Sequence, residues 1–308
     1  MKAAFLFPGQ GSAEVGMGKS LAEAYPLVED YFAQAGKILG RDLWHIVQEG
    51  PREVLVATEN AQPAIYTLSA AALDIFRAKH PDIVPAFVAG HSLGEYTALY
   101  AGGVFDFATG LGLVARRGEF IAEACRQHPG GMAAIVRLPL DKAEELCTRA
   151  AQESGAVVVP ANYNTPEQLV VSGAQAGLDK LGELVKEAGG RMLPLAVSGA
   201  FHSPLVAEAA DRMREVLRNA PLEPPAVPFL ANKSGKRASD VEVIRDLLGK
   251  QIDHPVQWIS IMERMVEDGV DTYIEFGHGK VLTGMAAKFA PEARMVNLSE
   301  PEGMASGL

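Results

Sequence analysis

The chain has 308 residues, 48% hydrophobic and 21% charged, enough for a full α/β core with room for a smaller second lobe. Its formal net charge of −10 argues against a nucleic-acid partner, because phosphate binding needs a basic surface. The two cysteines, Cys125 and Cys147, sit in helix-like contexts and form neither a secretory disulfide framework nor a zinc site.

Met1 to Pro8 is too short, and too soon broken by proline, to be a signal peptide, and no apolar run reaches membrane-spanning length. The expectation is a soluble, cytoplasmic protein. Lys2 to Phe7 predicts the first buried strand, which runs into the turn-rich loop Pro8-Gly9-Gln10-Gly11-Ser12. In open α/β sheets that C-terminal edge is where ligands sit. The loop is not a dinucleotide fingerprint, because Glu14 stands where a third glycine belongs, and no phosphate-cradling G-x-x-x-x-G-K-[ST] occurs. Val28 to Leu39 predicts an amphipathic helix. Asn60-Ala61-Gln62-Pro63 predicts the start of a long one, with proline at an early helical position and an apolar face of Ile65, Leu68, Ala72, Ile75 and Phe76.

Pro85 to Ala89 is short and apolar, as a buried parallel strand is, and Leu93 onward reads as a packed helix that Gly102-Gly103 ends. Between them Gly90-His91-Ser92-Leu93-Gly94 fits the G-x-S-x-G nucleophile elbow. Glycines on both sides of the serine let the chain turn hard without a Cβ clash. The turn lifts the serine oxygen off the sheet to a helix N-terminus, which favours developing negative charge. A serine merely capping a βα turn can carry the same pentapeptide; the strand before it and the helix after it favour the nucleophile.

Asp106 to Cys125 predicts a further helix, with Phe107, Leu111, Val114, Gly118, Ile121 and Cys125 in one stripe. At about 100° per residue, Arg116 lies opposite that stripe and Arg117 about 80° from its centre. Two solvated arginines are the plain reading; if one reaches inward, geometry favours Arg117. From about Met132 the order is strand (Ala133 to Arg137), helix (Leu140 to Glu153), strand (Ala156 to Ala161), strand (Gln168 to Ser172), helix (Leu178 to Ala188), strand (Arg191 to Ala196). That is βαββαβ, the ferredoxin-like unit. It predicts a small lobe, residues 129–198, inserted into an α/β-hydrolase-like large lobe with a parallel sheet, residues 1–128 and 199–308. The crevice between the lobes is a natural ligand site.

In Gly199-Ala200-Phe201-His202-Ser203-Pro204, Ser203 is a candidate N-cap and Pro204 a first helical residue, which fixes His202 at a loop-to-helix junction. Of the seven histidines, His45, His80, His128 and His254 read as surface or loop residues, and His91 belongs to the elbow. His202 and His278, the latter in a Gly-x-Gly loop after the predicted strand Thr272 to Phe276, compete to be the base. Ser299 to Leu308 reads as a loose tail.

Together these residues carry a resemblance. Phe7-Pro8-Gly9-Gln10-Gly11-Ser12, Gln62-Pro63-Ala64, Gly90 through Tyr96, Arg117-Gly118, Ala161-Asn162-Tyr163-Asn164, Phe201-His202-Ser203, Pro255-Val256-Gln257-Trp258 and Gly277-x-Gly279-Lys280-Val281-Leu282 run in the order of the malonyl-CoA:acyl carrier protein transacylases, relatives of polyketide-synthase acyltransferase domains. Each piece is weak alone; jointly they are specific and cover nearly the whole chain. His278 departs from the pattern, since many members carry proline there.

The resemblance implies Ser92 as nucleophile and His202 as base, with the histidine held by the backbone carbonyl of Gln251 in place of an acid. It implies an oxyanion hole of the Gln10 and Leu93 backbone N–H groups, and Arg117 as reader of the malonyl carboxylate. It implies Phe201 as the residue that excludes a methyl branch, and Gln62, Asn162 and Asn164 as pocket residues. The implied activity is ping-pong transfer of malonyl from malonyl-CoA to the phosphopantetheine thiol of acyl carrier protein in fatty acid biosynthesis, with no permanently bound cofactor. The alternatives are a trans-acting acyltransferase of a polyketide synthase and a serine thioesterase or acyl hydrolase; against the hydrolase, no acid is clearly placed between the elbow and His202. A degenerate docking module is a further rival, opposed by the intact serine, histidine and arginine. The implied carrier is acidic, as is this chain, so attraction needs a local basic patch: Lys180, Lys186 and Arg191, or Lys280 and Lys288.

Overall fold

The alternation of short apolar segments with helical stretches folds into two separate sheets in the computed structural model, which describes residues 1–305. The strands are β1 (Ala3–Phe7), β2 (Phe87–Gly90), β3 (Gly131–Val136), β4 (Val158–Thr165), β5 (Gln168–Gly173), β6 (Arg191–Pro194), β7 (Phe229–Leu230), β8 (Arg237–Ala238), β9 (Thr272–Glu275) and β10 (Arg294–Asn297). The first sheet has six strands in the order β10-β9-β1-β2-β7-β8, and the second has four in the order β4-β5-β3-β6.

The large sheet is parallel except at its edge, where β7 and β8 pair antiparallel. β1 is buried along its whole length because helices cover both faces. Its period-two alternation divides it between two cores: Phe5 and Phe7 face one cluster, Ala4 and Leu6 the other. The small sheet is antiparallel throughout, and its two helices, Leu140–Ser154 and Gln175–Glu187, pack on it over a core that includes Ile135, Leu146, Val171 and Leu181. This is the ferredoxin-like arrangement expected from the element order. The small sheet is tied to the segment before the helix Trp258–Glu267, where Val256 bridges Asn162: Tyr163 N donates to Val256 O at 2.9 Å and Val256 N to Ala161 O at 2.9 Å.

Three local expectations need correcting. The long helix runs Thr58–Lys79 and begins upstream of Asn60, so Pro63 lies inside it. Proline has no N–H to give the carbonyl four residues back; that carbonyl, of Glu59, accepts from the Arg41 guanidinium instead. The helix is also buried almost all round from Ala61 to Leu73, not along one stripe only. Finally, the C-terminus is not wholly a loose tail. Pro301–Ala305 is helical and Met304 is 1% exposed in the main core, while residues 306–308 of that stretch lie outside the described residues.

Candidate active site

Ser92 sits between β2 and the helix Gly94–Ala101 with φ of +53°, a left-handed conformation that side chains avoid. Such strain persists only where the surroundings over-determine it. Here they do so through close approach. A Cβ on Gly90 would lie 1.9 Å from Gly94 O, and one on Gly94 would lie 2.0 Å from Phe7 O. The elbow is thus jammed against its own helix and against the end of β1. The Ser92 N–H donates to Asn232 Oδ1 at 2.6 Å, and the same Asn232 amide donates to Gly90 O at 2.6 Å, clamping both sides of the turn.

His202 also has positive φ, +57°, and its backbone N donates to Ile252 O at 3.0 Å. Ser203 caps the 3-10 turn Pro204–Val206 behind it, accepting from Leu205 N. The ring spans two partners. Nδ1 lies 2.9 Å from Gln251 O and 3.1 Å from His254 O, so the proton sits on Nδ1 and is shared between two carbonyls. Nε2 is then the acceptor for the Ser92 hydroxyl, 2.8 Å away. Burial and the nearby Arg117 cation pull the imidazole down to about 3, so it is neutral at physiological pH. His278, the competing candidate, instead faces the Glu14 carboxylate at 3.0 Å.

Arg117 is 2% exposed, whereas Arg116 points outward to Glu119. The helix Phe107–Gln127 can bring it this close because Gly118 lets the helix lie on Thr58, where a Cβ would meet the Thr58 carbonyl at 2.9 Å. Arg117 Nη2 donates to Ser92 Oγ at 3.0 Å and to Gln251 Oε1 at 2.9 Å, and Nη1 donates to Gln62 Oε1 at 2.6 Å. All three acceptors are uncharged, and buried Nε has no protein partner. Gln62 in turn donates to Gln10 Oε1 at 3.2 Å, which links the arginine to the loop after β1. The serine oxygen therefore receives a hydrogen bond from a cation and gives one to a neutral base.

A cleft of about 260 Å³ opens in front of Ser92, lined among others by Gln10, His202, Phe201 and, from the small sheet, Asn162, Asn164, Ala134 and Val170. Arg117, Gln62 and Gln251 are not on its wall; they form the layer behind the serine. His91, neutral through burial, bonds Asn164 Oδ1 at 2.8 Å, and Asn164 Nδ2 donates to Gln168 at 2.9 Å, so this wall is rigidly cross-linked. Gln10 opens a 3-10 turn and Leu93 is the N-cap of the elbow helix. Amides at such positions have no intrahelical carbonyl to reach and can serve an oxyanion. No group of His, Cys, Asp and Glu side chains suited to a metal ion occurs among the described residues.

Three participants were not foreseen: Asn232, the Gln251 side chain and Glu95. Glu95 is 1% exposed, and its carboxylate accepts from Asn232 N at 2.9 Å and from Gln251 Nε2 at 2.6 Å. The signal for it was present, a lone charged residue in the elbow helix. Asn232 had none, because it lies in an ordinary polar loop.

A strained serine at the head of a helix over a parallel sheet, its hydroxyl against a neutral histidine, has the form of an acyl-transferring or acyl-hydrolysing serine enzyme of α/β fold. The model of the acyl transferase domain family matches residues 4–294. The malonyl CoA-acyl carrier protein transacylases of Escherichia coli strain K12 and Bacillus subtilis are 42% and 40% identical, over 99% and 98% of this chain and 98% and 94% of theirs. Among solved structures, the malonyl CoA-acyl carrier protein transacylase of Coxiella burnetii superposes with a TM-score of 0.95 at 34% identity, covering 99% of this chain and 96% of that one. A malonyl-transacylase in complex with its type II polyketide-synthase acyl-carrier protein superposes with a TM-score of 0.94 at 37% identity, covering 99% and 98%. The chain belongs to the acyl transferase family and, within it, to the malonyl CoA-acyl carrier protein transacylases.

Proposed function

We propose that this enzyme carries malonyl from malonyl-CoA to the phosphopantetheine thiol of acyl carrier protein in fatty acid synthesis, through an ester on Ser92. The observation that carries the mechanism is the position of Ser92 Oγ, 2.8 Å from His202 Nε2 and 3.0 Å from Arg117 Nη2. His202 takes the hydroxyl proton as the oxygen attacks the thioester carbon; the C–S bond breaks and the proton passes to the departing CoA sulfur. The carrier thiol then attacks the ester, and the same steps run in reverse. Thioester is exchanged for thioester, so the ester only stores the acyl group and the order is ping-pong. In each tetrahedral intermediate the backbone N–H groups of Gln10 and Leu93 hold the oxyanion. Arg117 pairs with the free carboxylate, Phe201 closes the space a methyl branch would need, Asn162 and Asn164 shape the pocket, and Gln62 holds the arginine from behind. The large lobe, 1–128 and 199–308, supplies the nucleophile and base; the small lobe, 129–198, supplies one wall.

Intact-mass measurement after mixing with malonyl-CoA alone tests this: one malonyl adduct is expected, absent in Ser92→Ala. An adduct that persists in the variant refutes the nucleophile. The likeness to a malonyl-transacylase that serves a type II polyketide-synthase carrier keeps a second reading, service to such a carrier, in play. Transfer rates to the host's fatty-acid and polyketide carriers separate the two.

A further inference from the structure

Behind the nucleophile lies one carboxylate that none of the chemistry above uses. Glu95 is fully enclosed, and its two oxygens are engaged by different elements: Oε1 by the backbone N–H of Asn232, Oε2 by the side-chain amide of Gln251. The second contact decides which way the Gln251 amide points. Its Nε2 has two acceptors, Glu95 Oε2 at 2.6 Å and Ser92 O at 2.6 Å, which leaves Oε1 facing Arg117 Nη2 at 2.9 Å. Reversed, the amide would set its NH2 against the guanidinium and its oxygen against a carboxylate, unfavourable at both ends.

We infer that Glu95 is a positioning residue: its carboxylate, acting through the Gln251 amide, holds the Arg117 guanidinium beside Ser92 in the orientation that reads the acyl carboxylate. The inference rests on the malonyl-transfer reading above. Without the lock, Arg117 keeps only Gln62 and the serine oxygen as acceptors and gains freedom about its last torsions. That freedom harms an acyl group that needs the arginine and spares one that does not.

The charged and titratable groups around Glu95 are few. Arg117, on the helix packed against it, favours the ionised form; Tyr96, its neighbour on the elbow helix, is neutral; His202 and His91 are held neutral by burial. Desolvation outweighs the hydrogen bonds and raises the Glu95 carboxyl to about 7. Above that pH both oxygens accept. Below it, one becomes a hydroxyl facing an N–H donor, and the lock loosens.

The test is single-turnover loading of Ser92 from malonyl-CoA and from acetyl-CoA, read by intact mass at saturating donor, for the wild type, Glu95→Gln, Gln251→Met and the double variant. Methionine removes the amide of Gln251 but keeps the backbone carbonyl that serves His202. Glu95→Gln should slow malonyl loading at least tenfold and acetyl loading no more than about threefold, and Gln251→Met should shift the ratio the same way. The double variant should be no worse than Gln251→Met, because both remove one linkage. In the wild type, the malonyl-to-acetyl ratio should rise as pH increases through about 7. Equal slowing of both donors, additive losses in the double variant, or a wild-type ratio flat from about pH 5.5 to 8.5 overturns the inference. If Glu95→Gln does not fold, Gln251→Met and the wild-type pH profile decide. No malonyl adduct in the wild type would instead sink the transfer reading itself.

Discussion

His202 acts without a carboxylate partner, and its two carbonyl acceptors orient the ring without adding charge. An ordinary histidine has a pKa near 6.5; here burial first, then Arg117, bring it to about 3. Two consequences follow with definite sign. Acetyl-CoA loading, which has no carboxylate to place, should stay flat as pH falls from about 8 to about 5, with no inflection near 6.5. A loss of half the rate near 6.5 would mean the imidazole is not shielded as described. Since the unfolded chain binds a proton that the native ring refuses, this residue's contribution to stability is complete above about 6.5 and is lost as pH falls towards 3. Arg117→Ala removes the second-largest depressing cause, so it should move the acid limb upward. The same variant should reduce malonyl loading by about 100-fold and improve acetyl loading relative to it; Arg117→Lys should not restore malonyl loading, because a point ammonium lacks the paired fork. Equal losses for both donors would remove the selectivity role.

At the scale of elements, the site is made by backbones that touch. The paired glycines of the elbow were legible in the sequence as turn formers, but their full reason is not the turn alone. Gly94 is required because the carbonyl of Phe7, on another strand, occupies the space of its Cβ, and no pattern within the pentapeptide shows that. Gly94→Ala should therefore abolish the Ser92 adduct and destabilise the protein by about 1–3 kcal/mol or more, since backbone atoms cannot swing aside. Gly112, in the interior of the helix that carries Arg117, meets nothing within 4 Å, and Gly112→Ala should stabilise by about 0.5–1 kcal/mol with loading intact. Thermal melts and adduct formation on the two variants check the contrast. The helices and strands themselves were largely legible, because their periodicities are intrinsic. Their ends were less so: Pro63 suggested a helix start near Asn60, but the Arg41 guanidinium supplies the donor that proline lacks and lets the helix begin at Thr58. The two-residue strands β7 and β8 are too short to show any alternation, and Asn232, the clamp on Ser92, sits in the polar loop between them, where nothing in the pattern marks it.

Over the whole molecule, two lobes meet along β4 and the Val256 segment, and the cleft holding Ser92 continues into a larger groove of about 930 Å³ through the shared residues Gln168, Val281 and Met285. The sequence left two basic groups equally able to receive an acidic carrier. The structure separates them by place. Lys180 is engaged by Glu153 and Glu183 on the outer helices of the small lobe, so its charge is spent locally. Lys280 and Lys288, with Arg137, line the groove itself; Lys288 is paired at 3.5 Å with Glu167, an acid on the same wall, and Lys280 stands nearest the serine cleft beside Val281. On a chain with net charge −10, that rim is where an acidic carrier can approach while its pantetheine arm reaches the serine. Lys280→Glu should raise the carrier KM in the transfer step about fivefold or more, and raise it further than it raises the KM for malonyl-CoA in loading. Lys180→Glu should leave the carrier KM within about twofold. The carrier KM of the wild type should also climb with added salt, because exposed charge pairs are screened beyond about 8 Å at physiological ionic strength. Steady-state kinetics with carrier as the varied substrate, at two salt concentrations, reads all three. If Lys180→Glu proves the more damaging change, the carrier arrives over the small lobe's helices and not along the groove.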